Sequence, residues 1–269
     1  MTRIRKTGTI LTAILLGYIA FTYLAVLAVD FLNLFDIQGL LLDRNVKVPL
    51  LWYLLFAEEG PTEIFQYLSN IASVFVLGIL AGAMLVKKSP LTKYFLIFGV
   101  AMGLLLLEDT GNLRHMIRST ITHLLGMEEG FRSLLGIGVE VAIYGLFGFL
   151  MLFSLYKIRH VVLAFPRVLK FLLVGYAFYA LAAMLSASRN FMNWYSNLGE
   201  AIIERLNLRA MDAWVVGGDA LMDEFGRRLG FFLIDTLFEE ALELIGAGLI
   251  FIGLLTLLLS LKENGFRHK

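Results

Sequence analysis

The sequence predicts an all-α integral membrane protein, and three features of the chain carry that prediction. Hydrophobic residues make up 59 % of the 269 residues, and the mean hydropathy is +0.79. Six long apolar stretches alternate with polar segments, and each has about the 20 residues that a helix needs to cross a bilayer. Only four prolines interrupt the chain. This composition excludes a disordered chain and an ordinary soluble domain.

The chain is therefore predicted to form one polytopic membrane domain with six transmembrane helices. They are expected at about 10–29, 63–86, 91–112, 134–156, 170–188 and 235–261. The first span follows a basic stretch, as the core of a secretory signal does. Its apolar run is longer than the roughly 7–15 residues of a signal core, so we expect a retained helix.

The charge distribution predicts that both termini are cytoplasmic. Basic residues cluster in the amino terminus, at 87–93, at 157–170 and at 262–269, on alternate ends of successive spans, as the positive-inside rule requires. With this topology, 13 of the 23 basic residues face the cytoplasm, whereas 21 of the 22 acidic residues lie on the other side and Glu263 alone does not. We expect the cytoplasmic membrane of a prokaryote, with the acidic face outward.

The outer segment 189–234, between helices five and six, is predicted to form an amphipathic helical cap. Its apolar residues recur at helical spacing in two stretches separated by a pair of glycines. The first stretch contains Leu198, Ile202, Leu206 and Ala210, and the second contains Trp214, Leu221, Met222, Phe225 and Leu229. The mixed charge of the segment argues against an anchor for anionic lipid.

Spans two and three are joined by only about four residues, so they are predicted to form an antiparallel hairpin. This pairing places Asn70 opposite Leu107, beside Glu108. It also places Gly78 opposite Gly99. The two GxxxG pairs of the hairpin are expected to let the helices approach closely. They are Gly78 with Gly82 and Gly99 with Gly103.

Acidic residues inside the apolar spans are the candidate functional site, because an intramembrane carboxylate is costly and usually has a function. The candidate ligands for a cation or proton are Glu63, Glu108, Asp109, Glu140, Glu239, Glu240 and Glu243. Supporting polar residues follow helical spacing or lie near the span ends. They are Gln66, Asn70, Asn112, His115, Tyr144 and Arg189. Glu108, Asn112 and His115 are expected on one helix face.

Glu140 is the most isolated of these acids. It lies about 9 Å into its span, with no basic residue within one turn. We expect it to be neutral and hydrogen-bonded, with Tyr144 one turn away as a donor. If a cation such as Arg189 lies within reach, Glu140 is instead expected to be ionised.

Three interpretations of the acids remain open. They form a buried ion-pair network with Arg114, Arg118, Arg132 and Arg189, or they line a vestibule that binds protons or cations. In the third, Glu63, Glu108, His115 and Glu239 or Glu243 bind a divalent metal. The metal site is weakly specified, with Glu108, His115 and Glu243 as its candidates, because the sequence lacks Glu-x-x-His pairs and a His-Glu-x-x-His motif.

These interpretations give three function hypotheses. The leading one is a transporter- or channel-like component that binds a cation or proton. The alternatives are a non-catalytic accessory or structural subunit of a larger membrane complex, and a metal-dependent membrane enzyme. Catalysis is not favoured, since phosphate-loop, nucleophile-elbow and dinucleotide motifs are absent, and no cofactor is strongly implied. The expected partners are the lipid bilayer and a second copy or a membrane complex, not nucleic acid.

Overall fold

The computed structural model describes residues 2–37, 39–40, 50–56, 60–111, 113–124, 129–189, 193–206 and 229–265. Within these residues the chain is helical, with short connections and no strand. This agrees with the predicted all-α class.

The amino-terminal part consists of one long helix and one short one. Helix α1 (Thr2–Val26) continues into a π-helical turn (Leu27–Phe31), and α2 spans Leu51–Phe56. In the π-helical turn, Asp30 is buried and its two carboxylate oxygens accept the backbone N–H groups of Leu51 and Trp52, at 2.8 and 2.7 Å. Asp30 therefore satisfies amide groups at the start of α2 that have no partner within that helix.

The predicted hairpin is formed by α3 (Pro61–Val86) and α4 (Thr92–Gly111). Pro61 occupies the first position of α3, where a missing N–H costs nothing. The connection turns at Lys88, whose φ of 51° lies in the left-handed region. Near the other end of the hairpin, Asn70 of α3 donates a hydrogen bond to Asp109 of α4, so the predicted register is confirmed to within about one turn.

The remaining helices follow in chain order with short connections where they are described. They are α5 (Leu113–Leu124), α6 (Glu129–Lys157), α7 (Arg159–Leu163), α8 (Pro166–Ser188), α9 (Trp194–Leu206), α10 (Leu229–Phe232) and α11 (Glu240–Glu263). A second π-helical turn, Leu233–Glu239, joins α10 to α11. Within it, the Thr236 hydroxyl donates to the carbonyl of Phe232, a competing bond of the kind that distorts helices.

The chain divides into two compact units. Unit 1 comprises Met1–Ala13, Gln66–Ala183 and Ile245–Lys269, and unit 2 comprises Ile14–Phe65 and Met184–Leu244. The core of unit 1 is built from apolar side chains of α3, α4, α6, α8 and α11. Unit 2 has two smaller cores, one around Trp52 and Phe56 and one around Tyr195 and Phe231.

Five helical stretches among the described residues are long and apolar enough to cross a membrane. They are Lys6–Phe31, Leu51–Val86 with its residues 57–59 outside the described set, Thr92–Gly111, Pro166–Ser188 and Gly230–Glu263. The predicted fourth span lies in α6, whose continuous apolar part, Val141–Lys157, is shorter than the other five. The structure thus supports an all-α protein with membrane-compatible helices, and the six-span topology stays a prediction.

The GxxxG prediction for the hairpin is wrong. A Cβ atom added at Gly78, Gly82 or Gly103 would meet no described atom within 4 Å, and one at Gly99 would only reach ordinary contact with Leu77. The motif permits close approach but does not specify which face of a helix is covered.

Close backbone approach occurs instead between α8 and α11. A Cβ atom at Gly246 would lie 3.1 Å from the carbonyl oxygen of Gly175 and 3.0 Å from the amide nitrogen of Tyr179. Gly246 and Gly248 directly follow the acids of the last span, which predicts tight packing there, and for Gly246 this is confirmed.

The predicted cap is described only in part. The first amphipathic stretch forms α9, but its buried side differs from the prediction, since Leu198 is exposed while Tyr195 is fully buried. Gly199 of α9 makes a backbone contact with Gly230 of α10 so close that a Cβ atom on either would collide with the other helix. The second stretch lies outside the described residues, except for Leu229 at the start of α10.

Candidate functional site

In unit 1, one carboxylate oxygen accepts hydrogen bonds from three neutral donors. Asp109 Oδ2 accepts hydrogen bonds from Gln66 Nε2 at 3.1 Å, from Asn70 Nδ2 at 3.2 Å and from the Tyr179 hydroxyl at 3.4 Å. We call these four residues the Asp109 hub. The backbone carbonyl of Asp109 also accepts from the Tyr67 hydroxyl at 3.1 Å. Three helices, α3, α4 and α8, are therefore connected through one aspartate.

The hub is partly buried, with Asp109 and Tyr179 half-buried, and it is internally connected. Asn70 is fully buried and its Nδ2 also donates to the Tyr179 hydroxyl, at 2.9 Å. Its Oδ1 is buried without a hydrogen-bond partner among the described residues. Glu108, adjacent to Asp109, is only 2 % exposed. The predicted polar stripe on α3 thus contacts Asp109 of α4.

In unit 2, five carboxylates lie close enough to interact electrostatically. Glu240 interacts with each of four other acids. We call the set the acidic cluster: Glu63, Asp235, Glu239, Glu240 and Glu243. Glu63 and Glu239 are only 8 % and 5 % exposed. One Glu240 carboxylate oxygen, Oε2, is buried and accepts no hydrogen bond within the described residues.

Helix geometry explains how one chain segment supplies four of these acids. Asp235 and Glu239 lie in the π-helical turn, and Glu240 and Glu243 lie in the first turn of α11. Residues three or four apart face the same side of a helix, so their like charges repel. The fifth acid, Glu63, comes from the first turn of α3.

Two described contacts hold the edge of the acidic cluster. Arg189 Nη1 lies 3.3 Å from Asp235 Oδ1, with both side chains largely buried. The Tyr195 hydroxyl donates to Glu239 Oε2 at 2.7 Å. Burial first, and the neighbouring Glu239 carboxylate second, raise the pKa of Tyr195 well above its usual value near 10. Tyr195 is therefore a permanent hydrogen-bond donor at physiological pH.

Among the described residues of unit 2, basic residues are fewer than acidic ones. Arg189 and Arg205 are the basic residues of this unit that the structure describes, and Arg205 is exposed on α9. Arg189, the cation named for Glu140 if that acid is ionised, forms its described salt bridge with Asp235.

Several predicted site residues are not tested. The side chains of Glu140 in α6 and His115 in α5, and all of Asn112, lie outside the described residues, as do the side chains of Arg114, Arg118 and Arg132. The expected shared face of Glu108, Asn112 and His115 is therefore untested. Tyr144 is half-buried against the core of unit 1. Where the chain is described, no three His, Asp or Glu residues are grouped so that they could hold a metal ion.

Three residues near the acids were missed by the sequence analysis. Tyr179 and Tyr195 donate to Asp109 and Glu239, and Asp30 supports α2. No signal in the sequence identifies the two tyrosines, because their partners come from distant parts of the chain. Asp30 had a weak signal, as an acid immediately after the first apolar span.

The fold and these sites define the class of protein: an all-helical chain with membrane-compatible helices, a hub around Asp109 and a cluster of five partly or fully buried carboxylates. No protein-family model, curated protein or solved structure matches the chain.

Proposed function

We propose that the chain is a six-span integral membrane protein that binds protons at the acidic cluster, as a transport- or channel-like component. In this proposal both termini are cytoplasmic and the acidic face is directed outward across a prokaryotic cytoplasmic membrane. The grouping of four acids on one helical segment, beside Glu63 of α3 and with Glu63 and Glu239 buried, is the observation that carries the proposal.

The balance of charge around the acidic cluster supports the proposal. Moving an ionised carboxylate out of water costs several kcal/mol unless a cation or a set of donors compensates for it. The acidic cluster contains five carboxylates, and the described partly buried cation beside it is Arg189, which binds Asp235. When all five are ionised, Glu240 is repelled by each of the other four carboxylates, and bound protons or cations would relieve that repulsion.

Protons are favoured by how the acids are arranged. Two carboxyl groups that lie close together can share one proton, because the second ionisation is opposed by the first charge. This requires only pairs of acids, such as those produced by the spacing of Asp235, Glu239 and Glu243. A metal ion would require several ligands directed at one point.

The alternative function is that of a non-catalytic subunit whose acids only stabilise its own structure. The Arg189–Asp235 salt bridge favours this alternative for one of the five acids. It does not account for Glu240, whose Oε2 is buried with no hydrogen-bond partner within the described residues, and a metal-dependent enzyme has no specific observation in its favour.

A flux measurement tests the transport function. The full-length protein would be reconstituted in vesicles with a pH-sensitive dye inside, and a potassium diffusion potential would drive proton entry. We expect proton entry above that of protein-free vesicles, and a loss of about tenfold or more in Glu240→Gln, as for removal of a residue required for proton transfer. Glu204→Gln, the same change at an exposed site of unit 2, is the matched control.

Equal flux in vesicles with and without the protein would contradict the transport proposal. Equal flux for Glu240→Gln and the wild type would contradict the role of the acidic cluster.

A further inference from the structure

We infer that unit 1 carries a binding site for the phosphate headgroup of an anionic phospholipid, distinct from both carboxylate groups. The site lies where α4 begins, α6 ends and α7 begins. Three cations and three aromatic rings form it, and we call them the basic–aromatic cluster: Lys93, Tyr94, Phe153, Tyr156, Lys157 and Arg159.

A continuous set of ring contacts brings the cations together. Lys93 Nζ lies 5.1 Å from the centre of the Tyr94 ring, and that ring meets Phe153 edge-on at 6.0 Å. Lys157 Nζ lies 5.4 Å from the centre of the Phe153 ring. Lys93 of α4 and Lys157 of α6 therefore each lie over one ring of the same contacting aromatic pair.

Tyr156 brings the third cation into this cluster. Lys157 Nζ and Arg159 Cζ lie 5.8 and 4.1 Å from the centre of its ring. Two like charges on one exposed ring repel each other, and the attraction of each to the ring is modest at an exposed site. An anion that binds both would remove the repulsion.

Most N–H donors of the three cations are not used by hydrogen bonds within the described residues. Where the chain is described, none of Lys93, Lys157 and Arg159 forms a salt bridge with an acidic residue. Arg159 donates from Nη1 to the carbonyl of Tyr156 at 2.8 Å, which leaves most of its five N–H groups for a ligand. A phosphate group accepts such fork-like donation well, and an ammonium group contributes further charge.

The position of the cluster favours a lipid over a free anion. Lys93 lies in the first turn of the apolar stretch Thr92–Gly111, and Lys157 is the last residue of the apolar stretch Val141–Lys157. Aromatic and long basic side chains at such ends lie at headgroup depth in a bilayer. Beside the cluster on α6, Phe149 and Leu152 are 63 % and 61 % exposed, so they are open to acyl chains.

Topology and the helix dipole explain part of this pattern, since basic residues are favoured on the cytoplasmic side and at helix C-termini. They do not explain why cations of α4 and α6 each lie over one ring of a contacting aromatic pair. A lipid site does.

The test uses the full-length protein in nanodiscs of phosphatidylcholine, with and without phosphatidylglycerol, and native mass spectrometry of retained lipid. We expect the double variant Lys157→Gln/Arg159→Gln to bind phosphatidylglycerol about thirtyfold more weakly, the loss expected for two headgroup contacts. Lys6→Gln/Lys262→Gln removes two exposed basic residues of the same unit and is the matched control, expected to bind as the wild type does. Lys157→Arg/Arg159→Lys keeps both charges and should retain most of the binding.

Three results would overturn the inference. The first is unchanged phosphatidylglycerol binding in Lys157→Gln/Arg159→Gln. The second is an equal loss in the control, which would indicate a general charge effect. The third is competition by inorganic phosphate in the nanodiscs, which would indicate a site for a free anion.

Discussion

The hydroxyl of Tyr195 donates a 2.7 Å hydrogen bond to Oε2 of Glu239, and both side chains are buried. Tyr195 belongs to α9 and Glu239 to the π-helical turn before α11. This bond connects the acidic cluster to α9, which forms the first amphipathic stretch of the predicted outer cap. The stability of α9 is therefore coupled to the state of the cluster.

Removal of this hydroxyl is expected to destabilise the protein. Tyr195→Phe keeps the ring in its core but leaves Glu239 without this donor, at an expected cost of about 1–3 kcal/mol. Thermal unfolding in detergent measures the loss. Tyr53→Phe is the control, because the Tyr53 hydroxyl makes no hydrogen bond in the part of the chain that is described. Equal midpoints for wild type and Tyr195→Phe would contradict the importance of the bond.

The contact between Tyr195 and Glu239 also predicts how the free energy of unfolding depends on pH. The pKa of Tyr195 is raised in the folded protein by burial and by Glu239, so its stabilising effect is complete below about pH 10, where the unfolded tyrosine is still protonated. Above that pH the unfolded state loses a proton that the folded state keeps, and stability falls by up to about 1.4 kcal/mol per pH unit. Tyr195→Phe should show a shallower decline than wild type between about pH 9 and 11, and Tyr53→Phe should not. Parallel curves for all three proteins would argue against a raised pKa.

The Asp109 hub makes a prediction for unit 1. Asp109→Ala would leave Gln66, Asn70 and Tyr179 without their common acceptor, and we expect a loss of about 2–4 kcal/mol, since buried donors without partners cost about 1–3 kcal/mol each and some will find other partners. Thr110→Ala, at the adjacent exposed residue of α4, should change stability by less than about 0.5 kcal/mol. Similar unfolding midpoints for the two variants would show that the hub contributes little.

Alanine substitutions at two glycines, one covered by a neighbouring helix and one not, test the helix packing. In Gly246→Ala the new methyl would press on the backbone of α8, so a loss of about 1–3 kcal/mol is expected from overpacking. Gly78→Ala adds a methyl where nothing lies within 4 Å, and alanine is the better helix former by about 1 kcal/mol, so the change should be neutral or stabilising. Thermal melts of both variants check this, and a larger loss for Gly78→Ala would indicate that a partner covers that face of α3.

The helical class and the hairpin register could be predicted, because both follow from local periodicity and a short connection. From that register the polar stripe of Gln66 and Asn70 was correctly directed toward the acids of α4. The sequence could not determine whether Glu108 or Asp109 faces α3. Neighbouring residues differ by about 100° around a helix, so an uncertainty of one residue in the register exchanges them.

The tertiary contacts could not be predicted in the same way. Tyr179 and Tyr195 meet their acids through packing between distant helices, and nothing in their sequence neighbourhood marks them. GxxxG spacing likewise does not show which glycines are covered, so Gly78 was wrongly expected to pack and Gly175 was not singled out. The π-helical turn at Leu233–Glu239 requires an i to i+5 bonding pattern that propensity does not reveal.

Infrared difference spectroscopy of the acidic cluster tests the central proposal most directly. Spectra of wild type and Glu240→Gln would be compared at neutral pH, with Glu204→Gln as the exposed control. If the cluster holds a proton, Glu240→Gln should change the C=O stretching band of a protonated carboxylic acid, and Glu204→Gln should remove only carboxylate signal. Loss of carboxylate signal alone in Glu240→Gln, with no band of a protonated acid in the wild type, would contradict the proposal and favour a fully ionised structural cluster.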